Sequence, residues 1–265
     1  MAARQKTRVV LLSHKGCVRE NNEDNFFLNG DLMPLAEMDQ GALIDQRFRA
    51  SCQMFAVCDG MGGAKLGERA AYIAANGLCA PYLKMPSKVL DKEIDAYARK
   101  ASATIRQDCR EHKADMEGTT LALLALQKGT AYVANVGDSR VYRLRDRELE
   151  QLSFDHSLVN RMRLEHRMTA EQARKSPQNN IITQFLGMPK EQMTDEFVFQ
   201  AASKAMKGDR YLLCSDGLCD MMSDAAMEEI LLRRTDALEA AKELVSLALE
   251  MGGKDNTTCM LVELI

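Results

Sequence analysis

Carboxylates at the ends of apolar runs are the residues of this chain best placed to do chemistry. Met54–Cys58 (MFAVC) leads straight into Asp59-Gly60-Met61-Gly62-Gly63, Tyr211–Ser215 (YLLCS) into Asp216-Gly217, and Asp255-Asn256 immediately precedes Thr257–Ile265 (TTCMLVELI). A buried strand that ends in aspartate holds an oxygen ligand on a rigid element, and the glycines after it let the backbone turn and approach closely. Any single Asp-Gly pair is ordinarily a turn, but three such ends meeting at one sheet edge would form an all-oxygen site, the kind that magnesium and manganese take. The four histidines (His14, His112, His156, His166) show no HExxH and no paired His/Cys spacing, so a zinc site on nitrogen or sulfur is not expected.

Upstream, Arg19-Glu20-Asn21-Asn22-Glu23-Asp24-Asn25 sets an arginine four residues before an adjacent Glu-Asp pair. Alone it reads as a solvated polar loop between strands. Beside the other carboxylates, Arg19 offers a planar fork to phosphate oxygens and Glu23 a further metal ligand. An arginine next to an acidic metal cluster points to an anionic substrate.

These residues need elements to position them. The chain has 265 residues, 46% of them hydrophobic, and no linker, low-complexity tract or repeat divides it, so one domain over 1–265 is expected. Apolar runs rich in β-branched residues predict strands at 8–12, 24–28, 54–58, 119–126, 130–136, 139–144, 211–215 and 257–264. Helical spacing predicts helices at 66–83, 91–112, 169–175, 223–234 and 236–251, the first two forming an antiparallel pair on one face of a sheet. Thr169 with Gln172 fits a capping box, and Gly252-Gly253 a helix stop. This order does not alternate as β-α-β units, which predicts an α+β fold of mainly antiparallel sheets with helices outside. Asn29–Gln53 reads as a surface loop, whose Leu, Met and Ile would also suit docking of a partner.

Composition narrows the partners. Thirty-five Lys and Arg against 38 Asp and Glu give a net charge of −3, without the basic excess of a nucleic-acid binder. No window reaches the roughly 18 apolar residues of a membrane helix, and the run Val9–Leu12 is too short for a signal peptide. Eight cysteines without CxxC or zinc-ribbon spacing read as reduced core thiols of a cytoplasmic protein. A monomer is expected, with no nucleic-acid or membrane partner.

In order along the chain, Arg19–Asp24 (RENNED), Val57–Gly63 (VCDGMGG), Gly118–Thr120 (GTT), Asn135–Arg140 (NVGDSR), Asp155–Ser157 (DHS), Asn180–Gly187 (NIITQFLG), Ser215–Asp220 (SDGLCD) and Asp255–Thr258 (DNTT) resemble the type 2C, metal-dependent protein serine/threonine phosphatases, the PPM family. The resemblance spans roughly residues 8–264. It implies a central β-sandwich flanked by helix pairs on both faces. It implies that Asp59 bridges two Mg2+ or Mn2+ ions, that Asp216 and Asp255 complete the first, and that Glu23 and the Gly60 carbonyl bind the second. Asp24 would support that shell through water, Arg19 would hold the substrate phosphate, and Asp115 with Asp220 match positions of a third metal. The implied reaction is hydrolysis of phosphoserine and phosphothreonine in proteins by a water shared between the two ions, without a covalent phosphoenzyme. The setting implied is a bacterial cytoplasm, with a serine/threonine kinase as antagonist.

Several residues depart from that pattern or invite over-reading. Met61 stands where many eukaryotic-type members carry a histidine that could protonate the leaving alkoxide, and methionine has no proton to give. Gly137–Arg140 is expected to be a tight hairpin turn, and GTT to open a core strand. Cys58 and Cys214 read as small apolar fillers. Residues 155–190 match the family's variable flap, its methionines serving packing and its mobility tuning substrate choice. The competing readings are a catalytically silent phosphoprotein-binding regulator and a small-molecule phosphate monoesterase.

Overall fold

The computed structural model describes residues 4–62, 66–85, 90–114, 116–169, 172, 176–178, 181–194 and 197–265. The strands are β1 Gln5–His14, β2 Asp24–Leu28, β3 Asp31–Leu32, β4 Ala42–Ala50, β5 Cys52–Gly62, β6 Glu117–Thr119, β7 Leu121–Gln127, β8 Thr130–Val136, β9 Arg140–Arg145, β10 Glu148–Gln151, β11 Phe199–Lys204, β12 Arg210–Cys214 and β13 Thr257–Leu264. They form two antiparallel sheets, one ordered β10-β9-β12-β13-β1-β4 and the other β11-β8-β7-β5-β2-β3, with β6 pairing the end of β5.

Three apolar clusters fill the spaces between layers. One lies between the sheets, around Phe26, Phe55, Val57, Tyr211, Leu213 and Met260. A second lies under the helices α1 Gly67–Gly77, α2 Cys79–Lys84 and α3 Leu90–Glu111, and a third under α6 Asp224–Arg233 and α7 Ala237–Glu250. The shorter helices are α4 Leu158–Leu164 and α5 Asp216–Cys219. The architecture is the α+β sandwich expected, helices on both outer faces.

Layering explains the sequence pattern. A central strand covered by a sheet on one face and helices on the other has no solvent side, so β7 (LALLALQ) is buried at every position and reads as a continuous apolar run. The helices each bury one stripe. In α3 it runs through Leu90, Ile94, Tyr97, Ala98, Ala101 and Ile105, and in α1 through Ala70, Ala71, Ala74 and Ala75, small enough for close approach to the sheet. The expected antiparallel pairing of these helices is present: the Tyr97 hydroxyl donates to the Ala74 carbonyl at 2.8 Å.

Several expectations are corrected. Residues 29–53 are not a loop but carry β3, a 3-10 turn at Leu35–Gln40 and the nine-residue edge strand β4. The strand expected at 119–126 is two, β6 and β7, which pair different parts of β5. The helix expected at 66–83 breaks at Leu78 into α1 and α2. Gly137–Ser139 is not a hairpin, because β8 and β9 belong to different sheets and the segment crosses from one to the other. The helix expected at 169–175 falls largely outside the described residues, although Thr169 and Gln172 exchange both capping-box hydrogen bonds, at 2.8 and 3.2 Å. All eight cysteines are free, but Cys17 is exposed rather than part of the core.

Candidate metal centre and active site

One rim of the sandwich gathers the ends of strands from both sheets. Asp24 opens β2 and sits directly opposite Asp59 on β5. Asp216 follows the end of β12 by two residues and opens α5; Asp255 lies two residues before β13. Gly60 is wedged beneath them: a methyl group there would stand 2.1 Å from the Gly67 carbonyl oxygen, so α1 begins in contact with the acidic rim. A methyl on Gly67 would likewise meet Glu23 Oε2 at 2.6 Å.

The electrostatics record the convergence. Burial, and then the charges of Asp216, Asp24, Asp255 and Asp138, push the Asp59 carboxyl well above its ordinary range. Asp216 is raised in the same way, by burial and then by Asp138, Asp220 and Asp255, and lies within hydrogen-bonding reach of Asp59. Asp24 is pushed up to about 7, chiefly by burial, against the pull of two hydroxyls that donate to it. Glu23 is raised, again mainly by burial. So many acids in one dry place are unfavourable unless protonated or offset by positive charge.

Uncharged neighbours hold these acids in place. The Asp59 N–H donates to Thr120 Oγ1 at 3.0 Å, while the Asp59 carbonyl accepts from the Thr120 N–H and the Thr119 hydroxyl, both at 2.8 Å. Ser139 Oγ lies 2.6 Å from Thr120 Oγ1. Asp24 Oδ2 accepts from Ser215 at 2.8 Å and Thr258 at 2.7 Å, which ties the two sheets together under the rim. Asn256 accepts the Glu23 N–H at 2.8 Å and donates to the carbonyls of Lys15 and Asn21, fixing the loop that carries Arg19 and Glu23.

The structure brings Arg19, Glu23, Asp24, Asp59, Gly60, Asp216, Asp220 and Asp255 to this rim. Arg19 is half exposed and turned toward Asp255, at 2.6 Å. Asp220 is raised mainly by burial, with Arg140 drawing it down. Asp115 lies outside the described residues. Asp138, read as a turn residue from the sequence, is instead buried against Asp216 and Asp220 and pushed up to about 7, mainly by burial. Its exposure to the site could not be read from GDSR alone, since only the crossover between sheets aims it inward. Beside it opens a cavity of about 190 Å³ lined by Asp138, Arg140, Asp155, Arg163, Asp216 and Asp220. Its wall is set by the Arg140 fork on Asp155, whose closest contact is 2.7 Å.

The donor set fits a hard divalent cation. Asp24 Oδ1, Asp138 Oδ1 and Asp216 Oδ1 are buried without a hydrogen-bond donor, and every acidic side chain at the rim offers only oxygen. Among the described residues, no three acidic, histidine or cysteine side chains yet close around one ion-sized point; the acids converge as a cluster of repelling charges. Glu23, Asp59, Asp216 and Asp255 have the chemistry to hold such ions.

A two-sheet sandwich with an oxygen-rich acidic rim and an arginine at its mouth defines a protein built to bring metal ions to an anionic group. The sequence profile of protein phosphatase 2C matches residues 39–250, and the chain belongs to that family. It is 33% identical over 258 residues to the serine/threonine phosphatase stp of Listeria monocytogenes serovar 1/2a, covering 94% of this chain and 92% of that protein. It is 32% identical over 260 residues to the serine/threonine protein phosphatase PstP of Mycobacterium tuberculosis, covering 97% of this chain and 45% of that protein. Among solved structures it is similar to the Mycobacterium tuberculosis phosphatase PstP/Ppp, with a TM-score of 0.81, 32% identity, and coverage of 98% and 99% of the two chains. It is also similar to the catalytic domain of PstP in complex with two manganese ions, with a TM-score of 0.79, 30% identity, and the same coverage.

Proposed function

We propose that this chain is a Mg2+- or Mn2+-dependent phosphatase that hydrolyses phosphoserine and phosphothreonine in proteins. The observation that carries the reading is the convergence of Asp59, Asp216 and Asp255 from three separate parts of the chain, where Asp216 Oδ1 and the neighbouring Asp24 Oδ1 and Asp138 Oδ1 are buried and met by no donor. Asp59, held by the Thr119 and Thr120 clamp, would be shared by two ions; Asp216 and Asp255 would complete one site, and Glu23 with the Gly60 carbonyl the other. Such a pair of ions, when bound, supplies a water acidified toward neutrality and offsets phosphoryl charge.

The chain's own residues do the rest. Arg19 is on the exposed lip and forks onto the phosphate once Asp255 is engaged elsewhere. Asp24, tied to Ser215 and Thr258, keeps one carboxylate oxygen for a hydrogen-bonded water. Met61, beside Gly60, brings no proton, so either water protonates the leaving alkoxide or the enzyme relies on good leaving groups. No cysteine is needed: burial raises the Cys58 thiol and so keeps it protonated. The antagonist in this reading is a serine/threonine kinase, and the compartment is the cytoplasm.

The test is manganese-dependent hydrolysis of p-nitrophenyl phosphate and of a phosphothreonine peptide. Asp59→Asn and Asp216→Asn are each expected to lower kcat by at least about 100-fold, the scale of losing a group that organises the transition state. A parent protein without metal-dependent turnover would instead be a phosphoprotein-binding member of the family. Turnover of metabolite phosphates with a kcat/KM above that for phosphopeptides would move the substrate class to small molecules.

A further inference from the structure

The two sheets end in edges of unequal openness. In the sheet facing α1 to α3, the edge strands are β3, two residues long, and β11, six residues long. In the other sheet, β10 has four residues, and its Leu149 N–H is taken by Glu228 of α6 at 2.7 Å. The remaining edge, β4, runs nine residues (ALIDQRFRA) without proline or glycine and, among the described residues, pairs only with β1. Short length, proline, covering helices and charged side chains are the usual defences of a sheet edge; among the described residues β4 has only the last, and its Asp45 and Arg47 are of opposite sign.

Its charges are set against its own neighbour. The register places Arg47 opposite Arg8 and Arg49 opposite Lys6 on β1, and like charges directly across a pair repel. Arg8 escapes by forking onto Asp45, at 3.0 and 2.8 Å, and by reaching Asp236 at 2.7 Å. Among the described residues Arg47 and Arg49 form no ion pair. On the other parity of the strand, Ile44 and Phe48 are half-buried at the open margin of the inter-sheet core, while Leu43, on the same face as Arg47 and Arg49, is 57% exposed.

We infer that β4 is the edge through which two copies of this chain associate, antiparallel, with Gln46 on the two-fold axis. In that register Asp45 faces Arg47, Ile44 faces Phe48, Leu43 faces Arg49 and Ala42 faces Ala50, each pair occurring twice, as an isologous interface requires. Arg47 gains the carboxylate that β1 does not supply, and Asp45 has acceptor positions beyond those Arg8 uses. The aliphatic stem of Arg49 covers Leu43, and the two apolar margins join across the axis. Other registers are disfavoured. A slide of two residues sets Asp45 against Asp45 or Arg47 against Arg47, and a slide of one turns the core face of one copy against the solvent face of the other. One antiparallel sheet would then run through both copies, in place of the monomer expected from sequence.

Sedimentation velocity on the full chain from about 1 to about 200 μM reads the association, since mass action makes it concentration-dependent. The parent is expected to pass from monomer to dimer, Arg47→Asp to weaken the dimer at least about tenfold, and Arg47→Lys to retain it, the charge pair being the difference. Register is read by cysteines placed in a Cys17→Ser background: opposite residues of an antiparallel pair have Cα atoms about 4.5–5.5 Å apart, within disulfide reach. Gln46→Cys is therefore expected to cross-link to its own copy under glutathione buffer, and Arg49→Cys, which faces Leu43, not to. Unchanged hydrolysis of p-nitrophenyl phosphate shows that each variant is folded. A monomer throughout the range, a dimer indifferent to Arg47→Asp, or equal cross-linking at both positions overturns the inference. Monomeric protein that captures an acidic extended peptide at β4 also overturns it and gives the edge to another partner.

Discussion

At the scale of single residues, the candidate site depends on side chains that never touch an ion. Thr120 is the hinge of that support: its hydroxyl accepts the Asp59 N–H and meets Ser139, while its N–H holds the Asp59 carbonyl. Thr120→Val keeps the shape, removes the hydroxyl and leaves the Asp59 N–H buried and unpaired, at a cost of about 1–3 kcal/mol. The expected outcome is a fall of about tenfold in kcat/KM with weaker manganese binding, measured by titrating activity and melting temperature with the ion, whereas Thr120→Ser restores most of both. Arg19 sits on the other side of the division between metal and substrate. Arg19→Ala should raise KM for phosphopeptides severalfold while manganese affinity changes little, because the guanidinium is half exposed and addresses Asp255 from outside the buried acids. Equal loss of both would make Arg19 a strut for Asp255.

At the scale of elements, legibility in the sequence followed burial. Strands covered on both faces, such as β5, β7, β12 and β13, announce themselves as unbroken apolar runs, and the Asp-Gly or Asp-Asn pairs at their ends located the acidic rim. Edge strands did not: β4 alternates half-buried with charged residues, and β11 (FQAASK) is built from alanine, serine and lysine. Asp138 was missed for a different reason, since a change of sheet between β8 and β9 looks locally like a turn. Cross-element ties were equally silent. Asp209, just before β12, accepts the Arg145 fork at 2.7 and 2.6 Å, the Tyr211 hydroxyl at 3.0 Å and the Met206 N–H at 2.8 Å. Burial alone would raise its pKa, but these donors outweigh it and hold it below the ordinary value. A depressed carboxylate contributes stability that is present above the unfolded pKa, about 3.9, and is lost as pH falls through the folded value. Asp209→Ala should therefore cost about 2–4 kcal/mol at neutral pH by stranding the buried Tyr211 hydroxyl and Arg145. That difference should shrink below about pH 4 in urea melts; a constant difference across pH would assign the effect to packing.

At the scale of the whole molecule, the fold concentrates its electrostatic cost at one rim while the total charge is only −3. Asp24 and Asp138 are pushed up to about 7, and Asp59 and Asp216 are raised well above the ordinary carboxylate range, all mainly by burial. Raised carboxyls bind more protons in the folded state than in the unfolded one, so folding stability declines as pH climbs from about 4 through the folded values. Chelator-treated protein should accordingly melt higher at pH 5.5 than at pH 8, and saturating manganese should remove much of that slope by supplying the missing positive charge, because a ligand of the folded state stabilises it by mass action. Asp216→Asn separates the two contributions. It deletes one repelling charge and one ligand together, so it should raise the melting temperature of the chelated protein, by roughly 2–4 °C for each kcal/mol relieved, and blunt the gain on adding manganese. Calorimetry of parent and variant with and without the ion decides it. If Asp216→Asn lowers the melting temperature of the chelated protein, the acidic rim is held by internal hydrogen bonds and not stored as repulsion awaiting a cation.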